Sequence, residues 1–245
     1  DAAAHPSLTL AHNDGNKMPQ LDLLLVNSSS RARVYGPLTE FAAIEPPVWA
    51  GLIACHCMNN GFSVQILDAE AEGLTAGETA RRIIDAKPRL AAFAIYGQQP
   101  SASTQCLPMA SAVCRAMKEM ANDEGIRIPT LAFGTHPSAL PERTLREEPF
   151  DYVAVGEAVH TIIDLLQWKD RDSRGFVSAQ YNFRCGPGLN KTSLHSIGPA
   201  QNITDLDREL PSQAWDLLDM TRYRAHNWHL WTGDPAGGYA SVQTS

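Results

Sequence analysis

The sequence predicts an α/β fold, in which a doubly wound parallel sheet of five strands is followed by a smaller C-terminal segment. Short apolar runs of strand length alternate with longer amphipathic stretches between residues 21 and 168. Each connection between successive runs is long enough to hold a helix, as parallel strands require. From residue 169 onward this alternation stops.

Five runs are predicted to be strands because they are rich in apolar residues and end in turn-forming ones. They are LDLLLVN (21–27), FSVQILDA (62–69), LAAFAIYG (90–97), IPTLAFG (128–134) and DYVAVGE (151–157). Right-handed connections and five parallel strands favour the flavodoxin-like, Rossmann-type strand order 2-1-3-4-5.

The segments between these strands carry helix signals. Pro46 and Pro47 begin the first predicted helix, and Gly61 ends it. Thr75 and Glu78 have the spacing of a capping box at the start of the second. The remaining helices are predicted at STQCLPMASAVCRAMKEMANDEG (103–125), PSALPERTLREE (137–148) and AVHTIIDLLQW (158–168).

We divide the chain into three parts. Residues 1–20 are predicted to be flexible or disordered, and residues 21–168 form the sheet domain. Residues 169–245 contain a small hairpin around Gly186-Pro187-Gly188 and then a linker of loops and short helices.

Composition excludes several classes of function. The net charge of -7 argues against a nucleic-acid partner. No run of apolar residues is long enough for a membrane span, and the N-terminus lacks the features of a signal peptide, so we expect a cytoplasmic protein without a membrane partner. The five cysteines are odd in number and scattered, which argues against a disulfide framework.

Ligands of open parallel sheets bind beyond the carboxyl ends of the strands. Four of these ends run into loops rich in Gly, Ser, Thr and Pro, which allow a ligand to approach closely. They are NSSSRARVYG, YGQQPSASTQ, GTHPSALPE and VGEAVH. The glycine fingerprints of dinucleotide and triphosphate sites and the serine nucleophile elbow do not occur. We predict no catalytic residue and no metal held by protein ligands, so the edge suits a large cofactor that brings its own reactivity.

Seven segments, taken together and in their order along the chain, resemble the N-terminal cobalamin-binding region of cobalamin-dependent radical S-adenosylmethionine (SAM) enzymes. Many of these enzymes are methyltransferases. The segments are EPPVWAGLIA, ILDAEAEGLT, YGQQPSASTQ, GTHPSALPERTLREE, VAVGEAVHTI, LPSQAWDLLDM and YRAHNWH. The resemblance implies a cobalamin (vitamin B12) cofactor. It also implies a following partial TIM-type barrel, which holds SAM and a [4Fe-4S] cluster through Cys-x3-Cys-x2-Cys.

That cysteine motif does not occur in the 245 residues, so we expect a piece of a longer enzyme that is inactive without its barrel partner. The resemblance implies that the strand-end loops hold the corrinoid. The predicted contacts are Ser29, Ser30, Arg33, Tyr35, Tyr96, Gly97, Gln98, Gln99, Ser101, Ser103, Thr104, Gly134, Thr135, His136, Pro137, Gly156 and Glu157.

The chain departs from cobalamin modules of the methionine synthase type, which carry Asp-x-His-x-x-Gly after the first strand. Here the loop that starts at Asn27 has no histidine, so it offers no His lower ligand. The resemblance to the radical SAM enzymes implies that the cobalamin is still bound base-off. His136 could contact the phosphate and sugar of the nucleotide tail, ligate cobalt or cap the following helix. Glu157 could accept from a ribose hydroxyl or supply charge at a helix N-terminus.

Two other functions stay open at this point. A free-standing cobalamin-binding or sensing protein would need no cluster cysteines. A flavodoxin-like electron carrier could hold the phosphate of flavin mononucleotide in NSSSRARVYG, although 18 residues, 28–45, separate that loop from the predicted helix.

Overall fold

The computed structural model describes residues 20–97, 102–167, 183–184 and 203–225. Within them, six strands form one sheet in the order β2-β1-β3-β4-β5-β6. The strands are β1 (Leu23–Asn27), β2 (Val64–Asp68), β3 (Leu90–Ile95), β4 (Thr130–Gly134), β5 (Tyr152–Val153) and β6 (Phe183–Arg184). The first five are parallel, which confirms the predicted fold class and strand order.

β6 pairs antiparallel with β5 and extends the sheet at that edge. It lies in the region for which the sequence predicts a hairpin, and the rest of that hairpin lies outside the described residues. The predicted flexible N-terminus, apart from Gln20, also lies outside them. The division into three parts therefore stays a prediction.

Helices connect the parallel strands. They are α1 (Arg31–Tyr35), α2 (Val48–Asn59), α3 (Ala69–Glu72), α4 (Ala76–Ala86), α5 (Ala102–Asp123), α6 (Thr135–Ala139), α7 (Pro141–Glu147), α8 (Val159–Gln167) and α9 (Leu206–Glu209). The predicted capping box of α4 is present, with the Thr75 side chain accepting from the Glu78 backbone and the Glu78 side chain accepting from Thr75.

Two stretches predicted as loops are helical. α1 and a 3-10 helix at Gly36–Phe41 follow β1, and α3 follows β2 directly. Neither α1 nor the 3-10 helix buries a residue, so neither has the apolar periodicity from which helices are predicted. α1 and α3 each follow the end of a strand and therefore lie at the carboxyl edge of the sheet.

The core has two layers, one on each face of the sheet, because successive strand residues point to opposite sides. Leu23, Leu25 and Phe133 pack with α2 and α8 on one face. Leu24 and Phe93 pack with α4 and α5 on the other. With both faces covered, ligands can enter only at the ends of the strands.

The C-terminal segment 203–225 packs against this domain. The backbone N–H of Ala214 donates to the Gly51 carbonyl of α2 at 3.1 Å. Ile44 and Arg224 exchange two backbone hydrogen bonds, of 2.9 and 3.0 Å. The segment is thereby fixed both to a helix and to the loop before α2. None of the helices in the described ranges is long and apolar enough to span a membrane.

Candidate cofactor site at the carboxyl edge

A cavity of about 360 Å3 lies at the carboxyl ends of β1 and β3, beside α1 and the start of α2. Its polar wall includes Asn27, Ser28, Ser30, Arg31, Glu45 and Glu70. Its apolar wall includes Val34, Trp49, Ala94 and Tyr96. A space of this volume is at the lower end of the range for small-molecule sites, so it can hold one part of a large cofactor.

A stacked aromatic pair forms one wall of the cavity. The rings of Trp49 and Tyr96 lie 5.3 Å apart and 15° from parallel. Tyr96 also meets the edge of Phe133, at 6.0 Å between centroids. Burial, together with the negative charge of Glu157, raises the pKa of Tyr96, so its ring stays neutral. The wall is therefore flat and uncharged.

The loop after β1 is fixed by one carboxylate. Glu70 Oε2 on α3 accepts from the backbone N–H groups of Ser30 and Arg31, each at 2.7 Å, and its Oε1 accepts from Arg31 Nε at 3.1 Å. Arg31 Nη1 also donates to the carbonyls of Thr39 and Ala42. Glu70 and Arg31 thus use their polar groups to hold the wall in place.

A second carboxylate links the sheet, the cavity and the C-terminal segment. Asp68 Oδ1, at the end of β2, accepts from Asn27 Nδ2 at 2.8 Å, and Asp68 Oδ2 accepts from the Tyr223 hydroxyl at 2.9 Å. Burial raises the pKa of Asp68 to about 6, against these hydrogen bonds, which lower it. At neutral pH the ionised carboxylate can only accept, and this fixes the orientation of the Asn27 amide.

One polar group of the cavity wall is available to a ligand, and one glycine there is required by packing. The Oγ atom of Ser28 has no hydrogen-bond partner in the described chain, and the residue is 8% exposed. At Gly97 a Cβ atom would lie 2.2 Å from the Cβ of Ala102, so only glycine fits between β3 and α5. An unsatisfied buried hydroxyl is costly without a partner, and a ligand in the cavity can supply one.

The hydroxyl of Ser103, at the start of α5, joins the ends of β3 and β4. It donates to the Ile95 carbonyl and accepts from the backbone N–H of His136 at 2.9 Å, and the residue is fully buried. Thr104 Oγ1 and His136 Nδ1 lie 2.9 Å apart. Burial first, and then Arg143, lowers the pKa of His136, which keeps its imidazole neutral at pH 7.

The ends of β4 and β5 are tightly connected. Gly134 has a φ of +134°, and a Cβ there would lie 2.1 Å from the Ile95 carbonyl oxygen. The Gly156 backbone N–H donates to Ser138 Oγ at 2.9 Å. Glu157 Oε2 accepts from the backbone N–H of Ile203 in the C-terminal segment, also at 2.9 Å. Glu157 thus has a protein partner.

The predicted site residues fall into separate groups. Four line the cavity: Ser30, Tyr35, Tyr96 and Gly97. Ser29 and Arg33 lie in and beside the loop after β1 but not in the cavity wall. Thr104, Gly134, Thr135, His136 and the buried Pro137 lie together at the end of β4, with Gly156 and Glu157 near the end of β5. Gln98, Gln99 and Ser101 lie outside the described residues.

Sequence reasoning missed the contributions of Asn27, Ser28, Glu45, Glu70 and Trp49 to the cavity wall. A signal for two of them exists. In a parallel sheet, the helix after a strand starts at the carboxyl edge, so the EPPVW segment that begins α2 must lie there. Glu45 and Trp49 could have been placed in the site on that ground.

Comparisons with known proteins agree with this fold. A family model described as the B12 binding domain matches residues 36–166, more than half of the chain. None of the curated proteins matches the chain.

Two solved structures have similar folds. The cobalamin-dependent S-adenosylmethionine radical enzyme OxsB with aqua-cobalamin bound has a TM-score of 0.63 and 13% identity, over 81% of this chain and 25% of that one. The radical S-adenosylmethionine methyltransferase TsrM from Kitasatospora setae, with tryptophan substrate and a SAM analog bound, has a TM-score of 0.50 and 15% identity, over 67% of this chain and 28% of that one. The chain thus spans about a quarter of the length of these structures.

Proposed function

The chain belongs to the B12-binding domain family, and we propose that it is the cobalamin-carrying module of a radical SAM enzyme that transfers methyl groups. Cobalamin is the cofactor of this domain. The observation that carries the proposal is the cavity at the switch point between β1 and β3, where the connections after the two strands run to opposite faces of the sheet.

The residues of the cavity wall fit a corrinoid. When bound, cobalamin supplies a cobalt centre that can carry a methyl group or take part in redox chemistry. Trp49 and Tyr96 give a flat uncharged wall for an apolar surface of the ligand. Ser28 has a hydroxyl without a partner in the described chain, and a ligand in the cavity can bond to it.

The chain residues also support binding in the base-off form without a histidine lower ligand. No histidine lies in the cavity wall among the described residues. Cys106, which does line the cavity, accepts from Ser30 Oγ at 3.2 Å, and burial raises the pKa of its thiol. A thiol that stays protonated is a poor metal ligand.

We further propose that the group at the end of β4, with His136 as its main donor, holds the nucleotide arm of the cofactor. His136 is neutral and partly exposed, so its ring N–H can donate to a phosphate or sugar oxygen. Gln98, Gln99 and Ser101 follow β3 in the sequence, and we assign them to the same arm.

We assign the binding of SAM and of the iron-sulfur cluster to another domain of the parent protein. A barrel domain that binds SAM and a [4Fe-4S] cluster would be the partner of the carboxyl edge. The likeness in fold to OxsB and TsrM supports this arrangement, and the methyltransferase in TsrM's description supports methyl transfer.

The proposal is tested by filling the cavity. Val34→Trp places a large ring in the cavity wall, whereas Ala32→Trp makes a similar change at an exposed position of the same helix outside that wall. After incubation with hydroxocobalamin and desalting, we expect the wild type and Ala32→Trp to retain the cofactor with a base-off absorption spectrum. Val34→Trp should lose retention at least tenfold. Retention of flavin instead, or equal retention by both variants, would contradict the proposal.

A further inference from the structure

We propose that Glu45, Ser28 and Asn27 form an acceptor site for the primary amide groups at the rim of the corrin ring, and that this site selects amidated corrinoids over those with free carboxylates. This inference rests on the proposed binding of cobalamin in the cavity. It adds which form of the corrinoid the cavity accepts and which residues make the choice.

Glu45 is the central group because its carboxylate has no counter-charge. The residue lies directly before Pro46 at the start of α2, in the cavity wall, and is partly buried. Within the described chain its carboxylate has no hydrogen bond and no ion pair. Burial raises its pKa, as expected for a carboxyl group that lacks a donor. A partly buried carboxylate gains most from a ligand that donates hydrogen bonds.

Ser28 and Asn27 add two neutral acceptors. Ser28 Oγ is buried and unpartnered, although the residue lies in the cavity wall. Asn27 uses one N–H of its Nδ2 to donate to Asp68 at 2.8 Å, which fixes the orientation of its amide. The side-chain carbonyl of Asn27 has no partner in the described chain and can accept from a ligand.

Arg31, the cationic residue of this wall, is paired with the Glu70 carboxylate at 3.1 Å. Arg31 donates to Glu70 and to the carbonyls of Thr39 and Ala42, at 3.0 to 3.2 Å. The Ser30 hydroxyl donates to Cys106. Among the charged residues of the described wall, Glu45 is therefore the one without a counter-charge. A primary amide offers two N–H donors to it, whereas a carboxylate offers none and is repelled by Glu45.

The test compares two probes that differ in this chemistry. Cobinamide has amide groups at the ring rim and no nucleotide base, whereas cobyrinic acid has free carboxylates. We expect the full chain to bind cobinamide at least tenfold more tightly than cobyrinic acid, measured by absorption titration at pH 7.5. Glu45→Gln keeps the size of the side chain and adds a donor, so this preference should fall at least fivefold.

Glu40→Gln is the matched control, because it makes the same charge change at an exposed position outside the cavity wall. It should leave the preference unchanged. Ser28→Ala should weaken cobinamide about threefold or more and affect cobyrinic acid less. If the wild type binds both probes but Glu45→Gln and Ser28→Ala keep its preference, the acceptor site is wrong and cobalamin binding still stands. If the wild type binds neither cobinamide nor cobalamin, the proposed function fails, and this inference fails with it.

Discussion

The carboxyl edge of the sheet has two halves that use small polar residues in different ways. At the ends of β1 and β3, Ser28 and Glu45 line a cavity and have no hydrogen-bond partner in the described chain. Near the ends of β4 and β5, Gly156 and Glu157 bond to other parts of the protein, and the Ser103 hydroxyl of α5 joins the ends of β3 and β4. Similar residue types therefore form a ligand wall in one half and an internal support in the other.

This difference shows that residue type alone does not identify a ligand site. Burial and hydrogen-bond pairing also decide whether a small polar residue meets a ligand or supports the fold. A serine or glycine at a strand end is compatible with ligand binding, and the same residue can equally fix a backbone. Only the hydrogen-bond partners separate the two cases. Along the described carboxyl edge, the buried hydroxyl without a partner, that of Ser28, is on the β1 and β3 side, and that side is where we place the corrin ring.

The variant with the largest expected effect disrupts the close packing at the end of β4. Gly134→Ala forces a Cβ toward the Ile95 carbonyl at a φ that other residues rarely adopt. We expect it to lower the free energy of unfolding by about 4 kcal/mol. Gly77→Ala in α4, where a Cβ meets no atom within 4 Å, is the control and should change stability by less than about 1 kcal/mol. Urea unfolding followed by circular dichroism measures both. Equal stability of the two variants would show that the β4 end can relax.

The second prediction concerns Asp68, which joins the cavity to the C-terminal segment. Its pKa is raised from an ordinary value of 3.8 to about 6, so the folded protein holds the proton more tightly than the unfolded chain. The stability from this group is complete below pH 3.8 and is lost as the pH rises through 6. A shift of this size corresponds to about 3 kcal/mol.

Urea unfolding at pH 4 to 7 measures this loss, and Asp68→Asn removes the titrating group. We expect the wild type to lose about 3 kcal/mol more than Asp68→Asn over this range. If the two proteins show the same pH dependence, Asp68 does not titrate as its surroundings predict.

The smallest expected effect tests whether the two halves of the carboxyl edge bind different parts of cobalamin. His136→Ala should weaken cobalamin about tenfold, the usual value of one hydrogen bond to a charged group. It should leave cobinamide, which lacks the nucleotide arm, within twofold of the wild type. Thr104→Val removes the hydrogen bond between Thr104 and His136 but keeps the imidazole, and should have less effect on cobalamin. Equal loss of both ligands with His136→Ala would place His136 in the support and not at the nucleotide arm.

Much of the fold could be predicted because it depends on local patterns. Apolar runs predict the parallel strands, and the Thr75 and Glu78 spacing predicts the start of α4. α1 could not be predicted in the same way, because it buries no residue. It is held instead by the Glu70 carboxylate, about 40 positions away, which accepts from the Ser30 and Arg31 backbone.

The site was less predictable than the fold. The loops after the strands indicate the correct edge, and Ser30, Tyr35, Tyr96 and Gly97 do line the cavity. Hydrogen bonds between residues far apart in the sequence could not be inferred from local residue spacing. Asp68 and Tyr223 are 155 positions apart, and their contact depends on how the C-terminal segment folds back.

The backbone pairing of Ile44 with Arg224 has a consequence for the shape of the cavity. Ile44 stands between Ala43 and Glu45, both in the cavity wall, so the described C-terminal segment is bonded one residue from that wall. Any displacement of segment 203–225 would therefore also displace the backbone beside Glu45. The C-terminal segment thus helps to set the width of the space that a ligand can occupy.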